Sequence, residues 1–170
     1  VEIVQGRGNF EADGLDDYWG IRLGEQGASV QDAFAQGWRL GFVAGTDNHQ
    51  GHPTHSPGAY VGMTCFRATE LTREAVWQAM DERSTYATSG VPIVCDYAVN
   101  GVRSGAEGAL QAGEGVHFSA QLHGTAPIEV VEIISGGRCV WQHKPNSWDV
   151  ELDGVELPAQ VEDSAYYYLR

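Results

Sequence analysis

The residues best placed to do chemistry are an aspartate and a histidine one position apart, Asp47 and His49. They follow an apolar run over residues 40–45, which is typical of a buried strand. If the strand continues to His49, side-chain alternation places both residues on one face, where a carboxylate oxygen and an imidazole nitrogen can bind one cation. A hydrogen-bonded pair in a loop is the other interpretation. The pattern therefore indicates a candidate metal site at the end of this run.

Four further residues could contribute to such a site. His52 and His55 lie in the proline- and glycine-rich segment that follows, where imidazoles could contact an anionic substrate group, add a ligand or transfer protons. Exposed loop histidines without a role are the alternative. Glu2 lies within an apolar strand-like run, where a carboxylate is costly unless it is paired or bound to metal. Arg7 or a cation could supply that partner.

The elements that must position these residues alternate between strand and helix in the first half of the chain. Apolar runs at the start of the chain and over 40–45 predict short strands. A capping box that begins at Ser29 predicts a helix over 30–36, and Thr72 is the predicted N-cap of a helix that extends to about Arg83. An α/β arrangement of this kind places sites at strand ends.

The second half of the chain has a different pattern. Short β-like runs are separated by turn signals, among them Asn100-Gly101, which is typical of a type I′ hairpin. Several such strands in series predict a β-sandwich-like unit. We therefore predict two domains, residues 1–93 and residues 94–170.

Composition excludes several classes of partner. The chain has 170 residues, and 10 Lys+Arg against 23 Asp+Glu give a formal net charge of −13. Phosphate backbones repel such a chain, and it has no basic cluster for an anionic membrane, so we predict neither a nucleic-acid nor a membrane partner. No stretch approaches the roughly 20 apolar residues that span a bilayer. Three widely spaced cysteines without a Cys-x-x-Cys pair indicate neither a disulfide framework nor a thiolate zinc site.

The motifs resemble a known family of metallohydrolases. Gly45-Thr46-Asp47-Asn48-His49, the segment Glu70–Met80 and the segment Thr85–Gly90 look like the closing part of a PHP (polymerase and histidinol phosphatase) domain. The similarity is greatest to a largely uncharacterised bacterial branch in which a β-rich segment follows the domain. The runs that resemble that segment are Val99-Asn100-Gly101, Val130–Ile133 and Tyr166–Arg170.

The resemblance implies an α/β fold, the last part of a distorted (β/α)7 barrel, followed by the β-sandwich-like segment. It also implies that Asp47, His49 and Glu2 are metal ligands. Arg7 stands where the family often has a histidine, which implies an altered metal position and an arginine that binds an anionic substrate group or pairs with Glu2. The family's His-x-His and middle ligands are missing from these residues, so we expect this chain to bind metal weakly.

Two hypotheses follow. In the first, the chain is part of a phosphoesterase-like hydrolase that uses zinc, manganese or iron to activate water, with His52, His55 and Arg7 facing a small-molecule substrate. In the second, it is a β-rich binding or oligomerisation module without activity. We also expect the chain to be a piece of a longer protein, and a homo-oligomer because an incomplete barrel leaves strands unpaired. The sequence does not indicate a compartment.

Overall fold

A computed structural model of the chain describes residues 1–15, 27–51, 62–111, 114–157 and 165–170. The contacts among these residues divide the chain into two compact units, Val1–Pro92 and Ile93–Arg170. No helix within the described ranges is both long enough and apolar enough to cross a membrane. What kind of domain each unit represents stays a prediction.

The first unit combines short strands with two helices. Its elements are β1 (Glu2–Gln5), β2 (Gly8–Asn9), α1 (Val30–Ala35), β3 (Val43–Ala44), β4 (Met63–Phe66), α2 (Arg73–Asp81) and β5 (Thr85–Thr88). In the first sheet, β1 lies between β2 and β3, antiparallel to β2 and parallel to β3. In the second, β4 and β5 pair antiparallel.

Both helices begin where their capping residues predict. The Ser29 hydroxyl accepts a hydrogen bond from the Asp32 backbone at 3.2 Å, and the Asp32 carboxylate accepts one from the Ser29 backbone at 3.0 Å. The Thr72 hydroxyl accepts from the Ala75 backbone at 3.2 Å. Such bonds satisfy amides that have no partner within the helix. The two predicted helices are confirmed, although each ends one or two residues before its predicted end.

The second unit is built from strands alone among its described residues. They are β6 (Val94–Val99), β7 (Val102–Arg103), β8 (Val116–Ile128), β9 (Val131–Ser135), β10 (Arg138–His143), β11 (Ser147–Leu157) and β12 (Tyr168–Leu169). One sheet has the order β11-β8-β6-β7, and the other has the order β10-β9-β12. Asn100 and Gly101 have φ values of 48° and 76°, so the hairpin predicted between β6 and β7 is confirmed.

The core of the second unit draws on both of its sheets. Alternate residues of β8 are buried, and Phe118 is fully enclosed. Val131 and Ile133 from β9 join the same apolar cluster, together with Val150 and Leu152 from β11. Alternation along β8 thus places one side of the strand in the core and leaves the polar residues His117, Ser119, Gln121 and His123 on the other side.

The predicted α/β class with part of a (β/α)7 barrel is wrong. The described residues form twelve strands in four small sheets with only two helices. A barrel of βα units requires parallel neighbours, whereas β1–β3 is the one parallel pairing among the described strands. The short apolar runs did identify strand positions, but they carry no information on strand direction.

Candidate functional site

The first unit holds the segment of the candidate site at the end of β3. The Thr64 hydroxyl donates to the Ala44 carbonyl at 2.7 Å and accepts from the Ala44 amide at 2.8 Å, so a β4 side chain fixes the last residue of β3. The next amide, of Gly45, donates to the Val4 carbonyl of β1 at 3.1 Å. These bonds anchor the backbone immediately before Thr46 and Asp47.

Asp47 and His49 lie close together beyond that anchor. His49 Nε2 is 3.9 Å from Asp47 Oδ1, which is too long for a hydrogen bond. Asp47 has a φ of 51°, the left-handed region that aspartate adopts more readily than most residues. The His49 side chain is 89% exposed, and that of Asp47 is 32% exposed. Solvent and ligands can therefore reach both groups.

Arg7 pairs with Asp47. Its Nη2 atom lies 2.9 Å from Asp47 Oδ2, leaving Oδ1 on the side of His49. The Arg7 amide and Nε both donate to Gln5 Oε1, at 3.0 and 3.1 Å. Among the described residues Arg7 pairs with Asp47, not with Glu2 as the sequence had suggested. The binding of an anionic substrate group by Arg7 stays a prediction.

Glu2 differs from its predicted environment. It is exposed, so its carboxylate does not need a partner to offset burial, and that part of the sequence interpretation is wrong. Gln5 Nε2 lies 3.5 Å from Glu2 Oε2, a contact at the limit of a hydrogen bond. Glu2 Oε1 lies over Gly45, 3.0 Å from where a Cβ of residue 45 would be. Glu2 is therefore beside the end of β3, held only loosely.

The donor set fits a divalent ion in part. A tetrahedral ion about 2.1 Å from each ligand holds two donor atoms about 3.4 Å apart. Asp47 Oδ1 and His49 Nε2 are 3.9 Å apart, so they must approach by about 0.5 Å to share an ion, which a small rotation of the exposed His49 side chain provides. No group of three or more His, Cys, Asp or Glu side chains suited to a metal occurs within the described ranges. Glu2 therefore forms no three-ligand group with Asp47 and His49 in this arrangement. His52 and His55 lie outside the described residues.

Sequence reasoning missed two residues that organise this site. Gln5 is 4% exposed, and its side chain accepts a hydrogen bond from Arg7 Nε. In the sequence, Gln5 has no feature that links it to Arg7. Thr64 holds β3 through its hydroxyl, but nothing in the sequence links it to residue 44. The one signal in the sequence was the position of Gln5 at the end of an apolar run. A side-chain amide buried there needs a hydrogen-bond partner, because an unpaired buried amide is costly.

Comparison with known proteins gives relatives without a described function. The chain is 28% identical to an uncharacterised protein of Chlamydia pneumoniae and 27% identical to one of Chlamydia muridarum. Each comparison covers 84% of this chain and 26% of the relative, so the chain spans about a quarter of the length of these relatives. No protein-family model and no solved structure matches the chain. These similarities therefore assign no activity to the chain.

Proposed function

We propose that this chain is part of a metal-dependent phosphoester hydrolase, with Asp47 and His49 as ligands of a divalent ion. The observation that carries the proposal is the 3.9 Å separation of Asp47 Oδ1 and His49 Nε2 at the end of β3. The resemblance of the surrounding motif to PHP metallohydrolases supports the same chemistry. Carboxylate with imidazole suits zinc, manganese or iron.

In this proposal, Asp47, Glu2 and Arg7 have different roles at the metal site. Asp47 presents Oδ1 toward His49 because Arg7 binds the other carboxylate oxygen. Glu2 is the third ligand of the proposal, since an exposed side chain with one 3.5 Å contact can turn toward the ion at little cost. When bound, the ion supplies an acidified water and polarises the scissile bond. Arg7 would then provide a fixed positive charge beside the phosphoester group of the substrate.

Metal binding tests the proposal directly. We expect the purified chain to bind zinc or manganese in calorimetric titrations, and the double variant Asp47→Ala/His49→Ala to lose that binding. The chain contains a matched control, because His123 Nδ1 and Asp149 Oδ1 form another exposed pair, 2.6 Å apart. His123→Ala/Asp149→Ala should bind metal like the unaltered chain. Equal affinity in all three proteins would contradict the assignment.

The reaction class needs a second measurement. With manganese bound, the chain should release p-nitrophenol from p-nitrophenyl phosphate faster than the Asp47→Ala/His49→Ala variant does. Parallel assays with a p-nitroanilide substrate separate phosphoester from amide hydrolysis. Metal binding with cleavage of the anilide alone would retain the metal site and overturn the proposed substrate class. Metal binding with neither activity would overturn hydrolysis by this chain.

A further inference from the structure

Gln5 is a buried polar residue that contacts both Arg7 and Glu2, and its hydrogen bonds indicate a role. Only 4% of the residue is exposed, and its Oε1 accepts two hydrogen bonds from Arg7, one from the amide and one from Nε. Its amide nitrogen faces Glu2 Oε2 at 3.5 Å. A buried amide that makes these bonds fixes the residue two positions later in one orientation.

The orientation leaves part of the Arg7 guanidinium available. An arginine has five N–H donors in a planar fork. The side chain directs Nε to Gln5 and Nη2 to Asp47, and no described residue takes up the donors on Nη1. The Arg7 side chain as a whole is 63% exposed, so a ligand in solution can reach it. A planar pair of donors held in this way matches an oxyanion such as phosphate.

We propose that Gln5 is a positioning residue that fixes Arg7 for binding a phosphate group of the substrate. This inference rests on the proposed function, because it names a residue that selects the substrate class at the same site. In the metal-free chain, Arg7 attracts a phosphate group, but the carboxylates of Glu2 and Asp47 repel it. A divalent ion at Asp47 and His49 offsets that negative charge, so phosphate should bind the metal-loaded chain more tightly than the metal-free chain.

Calorimetric titration of methylphosphonate into the manganese-loaded chain tests the inference. Arg7→Met should weaken methylphosphonate binding by at least about tenfold, the size of one charge-assisted hydrogen bond. Gln5→Met, which removes the acceptor, should weaken it by about threefold to tenfold. Gln5→Asn, which keeps an amide but withdraws its oxygen from Arg7 by one carbon–carbon bond, should weaken it as well. Manganese affinity, titrated separately, should change less than about threefold in the Gln5 variants. Arg7→Met removes a charge that contacts Asp47, so its methylphosphonate titration is made at a manganese concentration that saturates the variant.

Arg103 provides the matched control. It is 74% exposed and lies 3.5 Å from Asp96, so Arg103→Met removes another surface arginine paired with an aspartate. This variant should bind methylphosphonate normally. Unchanged methylphosphonate affinity in Arg7→Met with manganese still bound would overturn the inference and leave the metal site intact. If Gln5→Met unfolds, the exposed Arg7→Met variant still decides the role of Arg7, and Gln5→Asn, which keeps a polar side chain, decides that of Gln5.

Failure of the proposed function gives a different result. If the unaltered chain binds no manganese, the metal site is wrong, and methylphosphonate is then titrated into the metal-free chain. Binding that Arg7→Met and Gln5→Met both lose would support the positioning role without a metal. Absence of methylphosphonate binding under both conditions would overturn the inference.

Discussion

Glu132, in β9, is a carboxylate whose ionisation is coupled to folding. Its side chain is 16% exposed, accepts from Gln142 Nε2 at 2.7 Å and pairs with Arg170 Nη2 at 2.8 Å. Burial raises the pKa of Glu132, but the hydrogen bonds from Gln142 and Arg170 and the Arg170 charge outweigh it and hold the pKa below its ordinary value. The ionised form is therefore more favoured in the folded chain than in the unfolded chain.

This shift predicts a specific pH dependence. A depressed folded pKa stabilises the fold above the unfolded pKa, and the stabilisation is lost as pH falls through the folded pKa. The free energy of unfolding should therefore fall more steeply for the unaltered chain than for Glu132→Gln between about pH 5 and about pH 3. Urea titrations at several pH values measure both slopes. Parallel slopes would show that Glu132 does not contribute.

Single residues also show how far the sequence could predict the site. Asp47 and His49 lie close together, but not for the reason that the sequence suggested. The strand does not continue to His49, because β3 ends at Ala44 and Asp47 has a φ of 51°. The Arg7–Asp47 pair joins residues 40 positions apart, and only the parallel pairing of β1 with β3 brings them together. The expected burial of Glu2 failed because an apolar run does not tell which of its residues point inward.

At the scale of the elements, Gly62 lets the backbone before β4 pass close to β1 and to the residue that follows β3. A Cβ at Gly62 would lie 2.5 Å from the Gly45 carbonyl oxygen and 2.6 Å from that of Val4. Gly62→Ala should therefore reduce the free energy of unfolding by about 1–3 kcal/mol, because backbone atoms cannot move aside easily. Chemical unfolding followed by circular dichroism measures the change.

The control for Gly62→Ala is another glycine of the same region. A Cβ at Gly45 would approach only Glu2 Oε1, at 3.0 Å, and that atom is the free end of an exposed side chain. Gly45→Ala should change the free energy of unfolding by less than about 1 kcal/mol, since reduced freedom of the unfolded chain offsets the contact. A loss as large as that of Gly62→Ala would contradict the proposed close packing.

The elements with local signals were the ones that the sequence predicted well. α1 and α2 begin at capping residues, and the Asn100-Gly101 hairpin has the positive φ values that its residues favour. β3 is only two residues long, although a longer apolar run surrounds it. Strand pairing depends on distant partners, such as the Thr64 hydroxyl on Ala44, and such partners leave no trace in a local pattern.

For the whole molecule, the expected homo-oligomer stays a prediction, but its original reason is gone. It depended on unpaired barrel strands, whereas the described strands form small sheets. β11 is a long edge in the described part of the second unit, and its pairing with β8 has two irregularities. Its outward residues include Asp149, Glu151 and Asp153. Bulges and like charges discourage edge pairing. We therefore do not expect β11 to be the surface through which two copies of the chain associate.

The two units also predict how damage to one affects the other. Phe118 is fully buried in the second unit and stacks on Tyr97 with ring centroids 5.2 Å apart. Phe118→Ala should lower the free energy of unfolding of that unit by about 3–5 kcal/mol through the cavity it leaves. The residues of the proposed site all lie in Val1–Pro92, which forms its own compact unit. Manganese affinity should therefore not change while the protein is folded.

Hydrogen exchange followed by mass spectrometry separates the two units. In Phe118→Ala, peptides from Ile93–Arg170 should exchange faster and those from Val1–Pro92 should not, because local stability follows the unit that lost its packing. Trp148→Ala is the control, since Trp148 is exposed in the same unit. If faster exchange or weaker manganese binding spread to the first unit, the two would unfold cooperatively, and the site would depend on the β-rich unit for its stability.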